Sequence, residues 1–103
     1  MDEAFMLALQ AVKDAVDADA RAAARGRAAR LAYPALAAAA AAARRTTRAC
    51  LVEEAVQNAV MEFFKKGSDE LIVISAPGLL RTIFRCRLKD QRRRDARYVF
   101  LAE

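Results

Sequence analysis

Residues 47–66 carry the clearest helical pattern of this chain. Their large apolar side chains recur at steps of three and four residues, so they fall on one face of an α-helix. This apolar set is Leu51, Val52, Val56, Val60, Phe63 and Phe64. Glu53, Gln57 and Glu62 fall outside that face. A helix with one apolar face must bury it, so we expect the β-rich segment that follows to be its platform and the alanine-rich segment before it to be its cover.

The sequence before this segment is rich in alanine and predicts two further helices. Asp2 is a candidate N-cap for the first helix, which we expect to run at least to Ala24. The Tyr33-Pro34 pair predicts a break, because the residue before a proline avoids the α conformation and proline suits the first turn of a new helix. We therefore expect an αα-hairpin whose second helix spans about 34–45. One long kinked helix is the alternative.

Two threonines, Thr46 and Thr47, stand just before the amphipathic segment. Both are good N-cap residues for a third helix. The alternative is that they lie inside one continuous helix over 34–66. At the other end, Lys65, Lys66 and Gly67 predict a helix terminus, since cations favour the last turn and glycine the left-handed cap position.

The C-terminal part of the sequence predicts three β-strands. Residues 71–75 form a short β-branched run typical of a buried strand, and residues 79–88 alternate between two faces with a period of two. A polar loop at 89–96 then leads to a last strand at 97–102. We therefore predict a single α+β domain, in which two or three N-terminal helices pack on one face of a three-stranded antiparallel meander.

The chain has 103 residues and a net charge of +5, which fits one domain with a modest core. A basic chain favours an acidic partner, either nucleic acid, an anionic membrane surface or an acidic protein. The longest uncharged run, 31–43, is too short to span a bilayer, and Asp2 and Glu3 stand where a secretory signal would be positive. We expect a protein of the bacterial cytoplasm that binds no membrane. Its heavy use of Ala and Arg, which have GC-rich codons, fits a high-GC bacterium or its phage.

Catalytic and metal sites find little support in this sequence. The chain contains no histidine, so neither a Ser-His nor a Cys-His pair can form, and its three glycines are scattered rather than gathered in a phosphate loop. Cys50 and Cys86 lie in apolar contexts, where we expect reduced core cysteines, with a disulfide between them as the alternative. We predict a protein that is not an enzyme and has no metal, cofactor or small-molecule substrate.

The strongest functional signal is a row of arginines in the C-terminal part. Arginines alternate along one face of the predicted middle strand and crowd the loop that follows it. On a sheet face and a hairpin they can neutralise phosphates, and a tyrosine beside them can stack on a base. The predicted nucleic-acid-binding residues are Arg81, Arg85, Arg87, Arg92, Arg93, Arg94, Arg97 and Tyr98. We therefore expect a small regulator that binds DNA or RNA; the alternative is a solvated face that keeps the sheet soluble.

Two further features bear on partners. Ile83 stands between arginines on the face predicted to be exposed, which is typical of an apolar contact site. It predicts an interface with a second copy, giving a homodimer, or with an acidic protein, as in a phage-type inhibitor or adaptor. A second basic group consists of Arg25, Arg27 and Arg30, joined by Arg44, Arg45 and Arg48 at the other end of the predicted second helix. The last three are expected beside the acidic start of the first helix, where they would balance charge within the molecule.

Overall fold

Four α-helices make up the described part of the chain. The computed structural model describes residues 2–65 and 75–102, with side chains up to residue 96. The helices are α1 (Asp2–Asp14), α2 (Ala18–Ala43), α3 (Ala49–Lys65) and α4 (Ala76–Ala102). α1 packs on α2, α3 packs on α4, and the two hairpins join mainly through α2 and α3. The described ranges contain no β-strand, so the predicted α+β fold with a three-stranded meander is wrong.

The first helix ends earlier than predicted. α1 stops at Asp14, and α2 begins at Ala18 with Asp17 as its N-cap. The Asp17 carboxylate accepts a hydrogen bond from the Ala20 backbone N–H at 2.7 Å, which satisfies one of the free N–H groups of a helix start. The prediction of one helix to Ala24 is therefore wrong, because an aspartate within the alanine-rich region caps a new helix.

The chain does not break at Tyr33-Pro34. α2 continues through Pro34 as one helix, so the αα-hairpin predicted at this point is wrong. The alternative of one long helix holds only for the passage through Pro34, since α1 and α2 are separate helices. Proline cannot donate the N–H bond to the carbonyl four residues earlier, which costs about 3 kcal/mol or more in a helix interior. The neighbouring Ala35 and Leu36 are buried, and their packing offsets this cost. The hairpin forms instead at the turn between α1 and α2.

The amphipathic helix predicted at 47–66 is confirmed as α3. Its buried side chains are Val52, Ala55, Val56, Ala59, Val60 and Phe63. They pack chiefly against α4 and α2, so the platform is helical rather than a sheet. Thr46 and Thr47 lie in the turn between α2 and α3, which makes α2 and α3 separate helices.

α4 replaces two of the predicted strands. The segments 79–88 and 97–102 and the loop predicted at 89–96 all belong to this one helix. Pro77 stands in its first turn, where the missing N–H has no intrahelical partner to lose. The predicted strand at 71–75 lies almost wholly outside the described residues.

The strand prediction at 79–88 is wrong because the four-residue spacing of its buried side chains fits both a strand and a helix. Leu80, Phe84 and Leu88 are buried and lie four residues apart. A step of four keeps side chains on one face of a strand and also on nearly one face of a helix. Thr82 and Cys86, which a strand would place on the same buried face, are exposed. Only the helical period accounts for both observations.

One continuous apolar core joins the helices. Its largest fully buried side chains are Phe5, Phe63, Phe84, Leu36, Leu80, Val12 and Val52. The ring of Phe5 in α1 lies 5.7 Å from that of Phe63 in α3, measured between centroids, a separation at which aromatic pairs attract. Arg25 of α2 donates a hydrogen bond to the Phe64 carbonyl at 2.7 Å, which satisfies an acceptor at the end of α3. The two hairpins therefore meet around the end of α3.

The cysteines differ from expectation. Cys50 and Cys86 are both free and exposed, so neither the predicted core position nor the alternative disulfide is found. Over the described ranges, no group of three or more Cys, Asp or Glu side chains is arranged to hold a metal ion. In the same ranges, no helix is both long and apolar enough to cross a bilayer.

Candidate nucleic-acid interface

The predicted nucleic-acid-binding residues all belong to α4, not to a sheet face and a loop. Successive residues are about 100° apart around an α-helix, so these arginines point in several directions. Arg81 and Arg87 are half-buried. The exposed members of the set are Arg85, Arg92, Arg93 and Arg94. Arg97 and Tyr98 lie on the helical backbone of α4, and their side chains are outside the described part.

Arg81 fastens α4 to the start of α1. Its two terminal nitrogens donate hydrogen bonds to the two carboxylate oxygens of Asp2, both at 3.1 Å. The hydrogen bonds and the positive charge of Arg81 lower the pKa of Asp2 below its ordinary value. Because this guanidinium is already paired in two places, Arg81 has a structural role and is poorly suited to bind a phosphate.

Arg87 is held between α3 and α4. Its Nε lies 3.0 Å from Glu62 Oε2, and its Nη1 lies 3.2 Å from Asp90 Oδ2. Two carboxylates therefore compete with any outside anion for this one cation. Arg87, like Arg81, is set apart from the exposed arginines by its ion pairs.

Arg92 connects α4 to the turn between α2 and α3. Its Nε donates to Thr47 Oγ1 at 2.7 Å and its Nη2 donates to Thr46 Oγ1 at 3.0 Å. Three residues further along α4, Asp95 pairs with Arg48. These contacts fix the turn against the C-terminal half of α4.

The contact between the α2–α3 turn and α4 joins two segments that are rich in arginine and far apart in sequence. We call the six arginines of the turn and of this part of α4 the arginine end: Arg44, Arg45, Arg48, Arg92, Arg93 and Arg94. Within the described part of the chain, the side chains of Arg44, Arg45, Arg93 and Arg94 form no hydrogen bond or ion pair. Four guanidinium groups are therefore free to contact a partner.

The acids near the arginine end only partly balance its charge. Asp95 is paired with Arg48, and Glu53 lines a groove together with Arg44. The prediction that the acids at the start of α1 balance the charge of the turn arginines is wrong. Asp2 pairs with Arg81, about three helical turns before Arg92 on α4.

A ridge of cations leads along α4 to the arginine end. Arg85, Lys89 and Arg93 are exposed and four residues apart, a spacing that places them on one side of a helix. Thr82, Cys86 and Ala96 share this outer face and are also exposed, but carry no charge. We call Arg85, Lys89 and Arg93 the cation ridge.

Sequence reasoning missed three residues of this surface. Lys89 was assigned to a loop, although it follows Arg85 by four residues. Arg44 and Arg45 were assigned to internal charge balance, and no local signal connects them to α4. Ile83, predicted as an exposed interface residue, is partly buried and packs against the core, which leaves less of it for a partner.

The groove between α2 and α3 is the other concave feature near the arginine end. It has a volume of about 290 Å³. Its lining consists of Tyr33, Ala37, Ala40, Arg44, Glu53, Val56 and Gln57. The lining has no nucleophile beside a base, since Tyr33 and Glu53 are its only titratable groups besides Arg44. The groove can receive an apolar or aromatic group but offers no catalytic arrangement.

Comparison with protein families, with curated proteins and with solved structures finds no match to this chain.

Proposed function

We propose that this protein is a small non-enzymatic regulator that binds nucleic acid through the arginine end and the cation ridge. The observation that supports it is the connection of the turn to α4 by Arg92 and Arg48. It brings the turn that contains Arg44 and Arg45 against the part of α4 that also carries Arg93 and Arg94. Arginine binds phosphate in a two-bond geometry.

Phosphate binding also explains why so many like charges lie together. Arginines that repel one another cost stability unless counterions or a polyanion neutralise them. Binding to nucleic acid releases counterions from the phosphates, and the gain is larger at low salt. The site thus favours partners with repeated negative charge.

The test is a titration of labelled oligonucleotides at several salt concentrations. The variant R44A/R45A/R93A/R94A removes the four unpaired arginines of the arginine end. It leaves the paired Arg48, Arg81, Arg87 and Arg92 in place, so the contacts between helices are kept. We expect weaker binding and a salt slope, log K against log salt, that is less steep by about 3 to 4.

The matched control carries the same change in charge elsewhere. K13A/R21A/R27A/R30A removes four exposed cations of α1 and α2 that form no ion pair among the described residues. We expect it to keep most of the affinity and the salt slope. Equal losses in the two variants, or a wild-type protein that shows no salt-sensitive binding, would contradict the proposal.

The rival proposal is a protein-binding module for an acidic partner. The observation that favours it is the α2–α3 groove, where Tyr33 is 45% exposed at a site that also contains Arg44. Aromatic and arginine side chains are typical anchors of protein interfaces. Tyr33→Ala would then abolish capture of the protein partner but leave oligonucleotide binding unchanged, and light scattering would distinguish a homodimer from a complex with another protein.

A further inference from the structure

We infer that the protein forms a two-fold symmetric dimer through the groove between α2 and α3. The inference goes beyond the proposed function, because it concerns contact between two copies of the chain and needs no nucleic acid. Its basis is that the two walls of the groove are complementary to each other, both in side-chain size and in charge. A surface whose two halves are complementary fits a second copy of itself.

The groove runs along much of α2 and α3. Tyr33 lines the part described above and also a second part, which has a volume of about 390 Å³. The hydrogen bond from Arg25 to the Phe64 carbonyl marks one end of the groove, and Arg44 and Glu53 line the other end. Between Arg25 and Arg44 the α2 wall is about 28 Å long, since each residue rises about 1.5 Å. A groove of this length can receive a helix of a second copy.

The two walls of the groove differ in side-chain size. Apart from Tyr33, the α2 wall between its terminal arginines consists of Gly26, Ala29, Ala37 and Ala40. The α3 wall beyond Glu53 carries the larger side chains Val56, Gln57, Val60, Met61 and Phe64. Facing layers interdigitate when large residues of one lie over small residues of the other. A two-fold axis parallel to the groove places the α2 wall of each copy over the α3 wall of the other, so the match of small to large occurs twice.

The charges at one end of the groove match in the same way. Arg44 stands on the α2 wall and Glu53 on the α3 wall. Within the described part of the chain, neither side chain forms an ion pair or a hydrogen bond, although both line the same groove. The same two-fold axis brings Arg44 of each copy to Glu53 of the other, which gives two ion pairs. A purely acidic partner would instead be repelled by Glu53.

The dimer would also cover apolar side chains that are exposed in the single chain. Met61 is 68% exposed and Tyr33 is 45% exposed, and both line the groove. The chain has an accessible surface of 6843 Å², whereas a compact monomer of 11.3 kDa has about 5,700 Å². The excess is larger than the area of about 800 Å² that each partner buries in a standard interface. The chain therefore has enough surface to form a stable dimer.

Dimer formation is compatible with the proposed binding of nucleic acid. Pairing with Glu53 of the second copy takes Arg44 out of the set of free cations. Arg45, Arg93 and Arg94 of the arginine end and the cation ridge on α4 remain free to contact phosphates.

The experiment measures the mass of the full chain by sedimentation equilibrium and light scattering over a range of concentrations. A high-salt wash first removes any nucleic acid, and the measurement is made at about 0.15 M salt, where charges more than about 8 Å apart are largely screened. We expect an equilibrium between monomer and dimer with no larger species, because an isologous interface closes on itself.

Two charge-reversal variants test the pairing of Arg44 with Glu53. R44E and E53R each bring like charges together in their own dimers, so we expect each to weaken self-association at least about tenfold. In a mixture of the two variants, both ion pairs of a heterodimer again join opposite charges. We therefore expect the mixture to recover most of the wild-type affinity. No effect within a single chain can produce this recovery.

A further variant tests the match of small to large side chains. Ala37 is exposed and lines the groove, so Ala37→Leu fills space that the second copy would occupy and leaves the core unchanged. We expect it to weaken the dimer at least about tenfold. The matched control is Ala38→Leu, at an exposed position that is not among the lining residues, which should dimerise like the wild type. Circular dichroism checks that every variant keeps its helix content.

Four outcomes overturn the inference. The first is a wild-type chain that remains a monomer at concentrations on the order of 1 mM. The second is a dimer that R44E, E53R and Ala37→Leu leave unchanged, and the third is a mixture of the two charge variants that does not dimerise; both would place the interface elsewhere. The fourth is growth into larger open assemblies, which would show a heterologous contact. Each result is obtained without nucleic acid, so none of them decides the proposed function.

Discussion

The two helical hairpins of this protein are packed by different means. In α2 the buried side chains are almost all alanine, with Leu36 as the exception. In α3 and α4 they include Val52, Phe63, Leu80 and Phe84. Alanine buries little area, so α2 is stabilised by close approach of backbones, whereas the α3–α4 hairpin is stabilised by large apolar side chains. The packing of α2 therefore depends on small residues, whereas the packing between α3 and α4 depends on large ones.

α1 supplies the large side chains that α2 lacks. Phe5, Leu9 and Val12 are buried on one face of α1. The ring of Phe5 also contacts the ring of Phe63 in the second hairpin. The Asp2–Arg81 pair joins the same two regions at the surface. The first hairpin is thus stabilised largely by one short helix and by its contacts across the bundle.

The largest expected loss of stability follows from removing an aromatic ring from the second hairpin. Phe84 is 1% exposed, so Phe84→Ala leaves a cavity and should reduce the free energy of unfolding by about 3–5 kcal/mol. Urea unfolding followed by far-UV circular dichroism measures this change. Cys86→Ala, at an exposed position of the same helix, is the control and should change the free energy by less than about 0.5 kcal/mol. A cost near zero for Phe84→Ala would show that large side chains do not stabilise this hairpin.

A medium effect is expected from enlarging a side chain in α2. Ala32 is 0% exposed, and Ala32→Leu forces additional atoms into a closely packed contact. We expect a loss of about 1–3 kcal/mol in the same unfolding measurement. Ala38→Leu, at an exposed position of the same helix, should be nearly neutral. If Ala32→Leu increased stability, the alanine contact would be loosely packed and the contrast between the hairpins would be weaker.

The smallest expected effect is a gain in the first hairpin. A Cβ added at Gly26 meets no atom within 4 Å, so Gly26→Ala is free to improve the helix propensity of α2 by about 0.8–1 kcal/mol. Thermal unfolding should show a higher melting temperature. Gly78→Ala, which also meets no atom within 4 Å, stands in the first turn of α4 and should give a smaller gain. A lower melting temperature for Gly26→Ala would mean that glycine is required in α2.

Local patterns in the sequence predicted some elements and not others, for identifiable reasons. α3 was predicted because its apolar steps of three and four fit only a helix. The α1–α2 turn was missed because alanine on both sides of Asp17 hides a helix boundary, and only the cap contact with Ala20 marks it. Pro34 predicted a boundary that does not exist, since packing of the surrounding α2 residues outweighs the local preference.

The candidate site was predicted only in part. The exposed Arg85, Arg92, Arg93 and Arg94 were identified as potential phosphate contacts, and this role stays a prediction. Arg81 and Arg87 were identified with them, but each is paired with acids brought in from other helices, Asp2 and Glu62. Asp90, which also pairs with Arg87, stands three residues along the same helix. Asp2 and Glu62 lie far away in sequence, so no spacing along α4 reveals these two pairs.

The sequence by itself determined the amphipathic helix α3, the basic character of the chain and its lack of histidine. These follow from composition and from periodicity over a few turns, which are local properties. The tertiary structure alone decided that Leu80, Phe84 and Leu88 belong to a helix, since their four-residue step fits both periods. It alone also decided that the turn after α2 lies against α4 at Arg92 and Asp95, because contacts between segments so distant in sequence depend on how the helices pack.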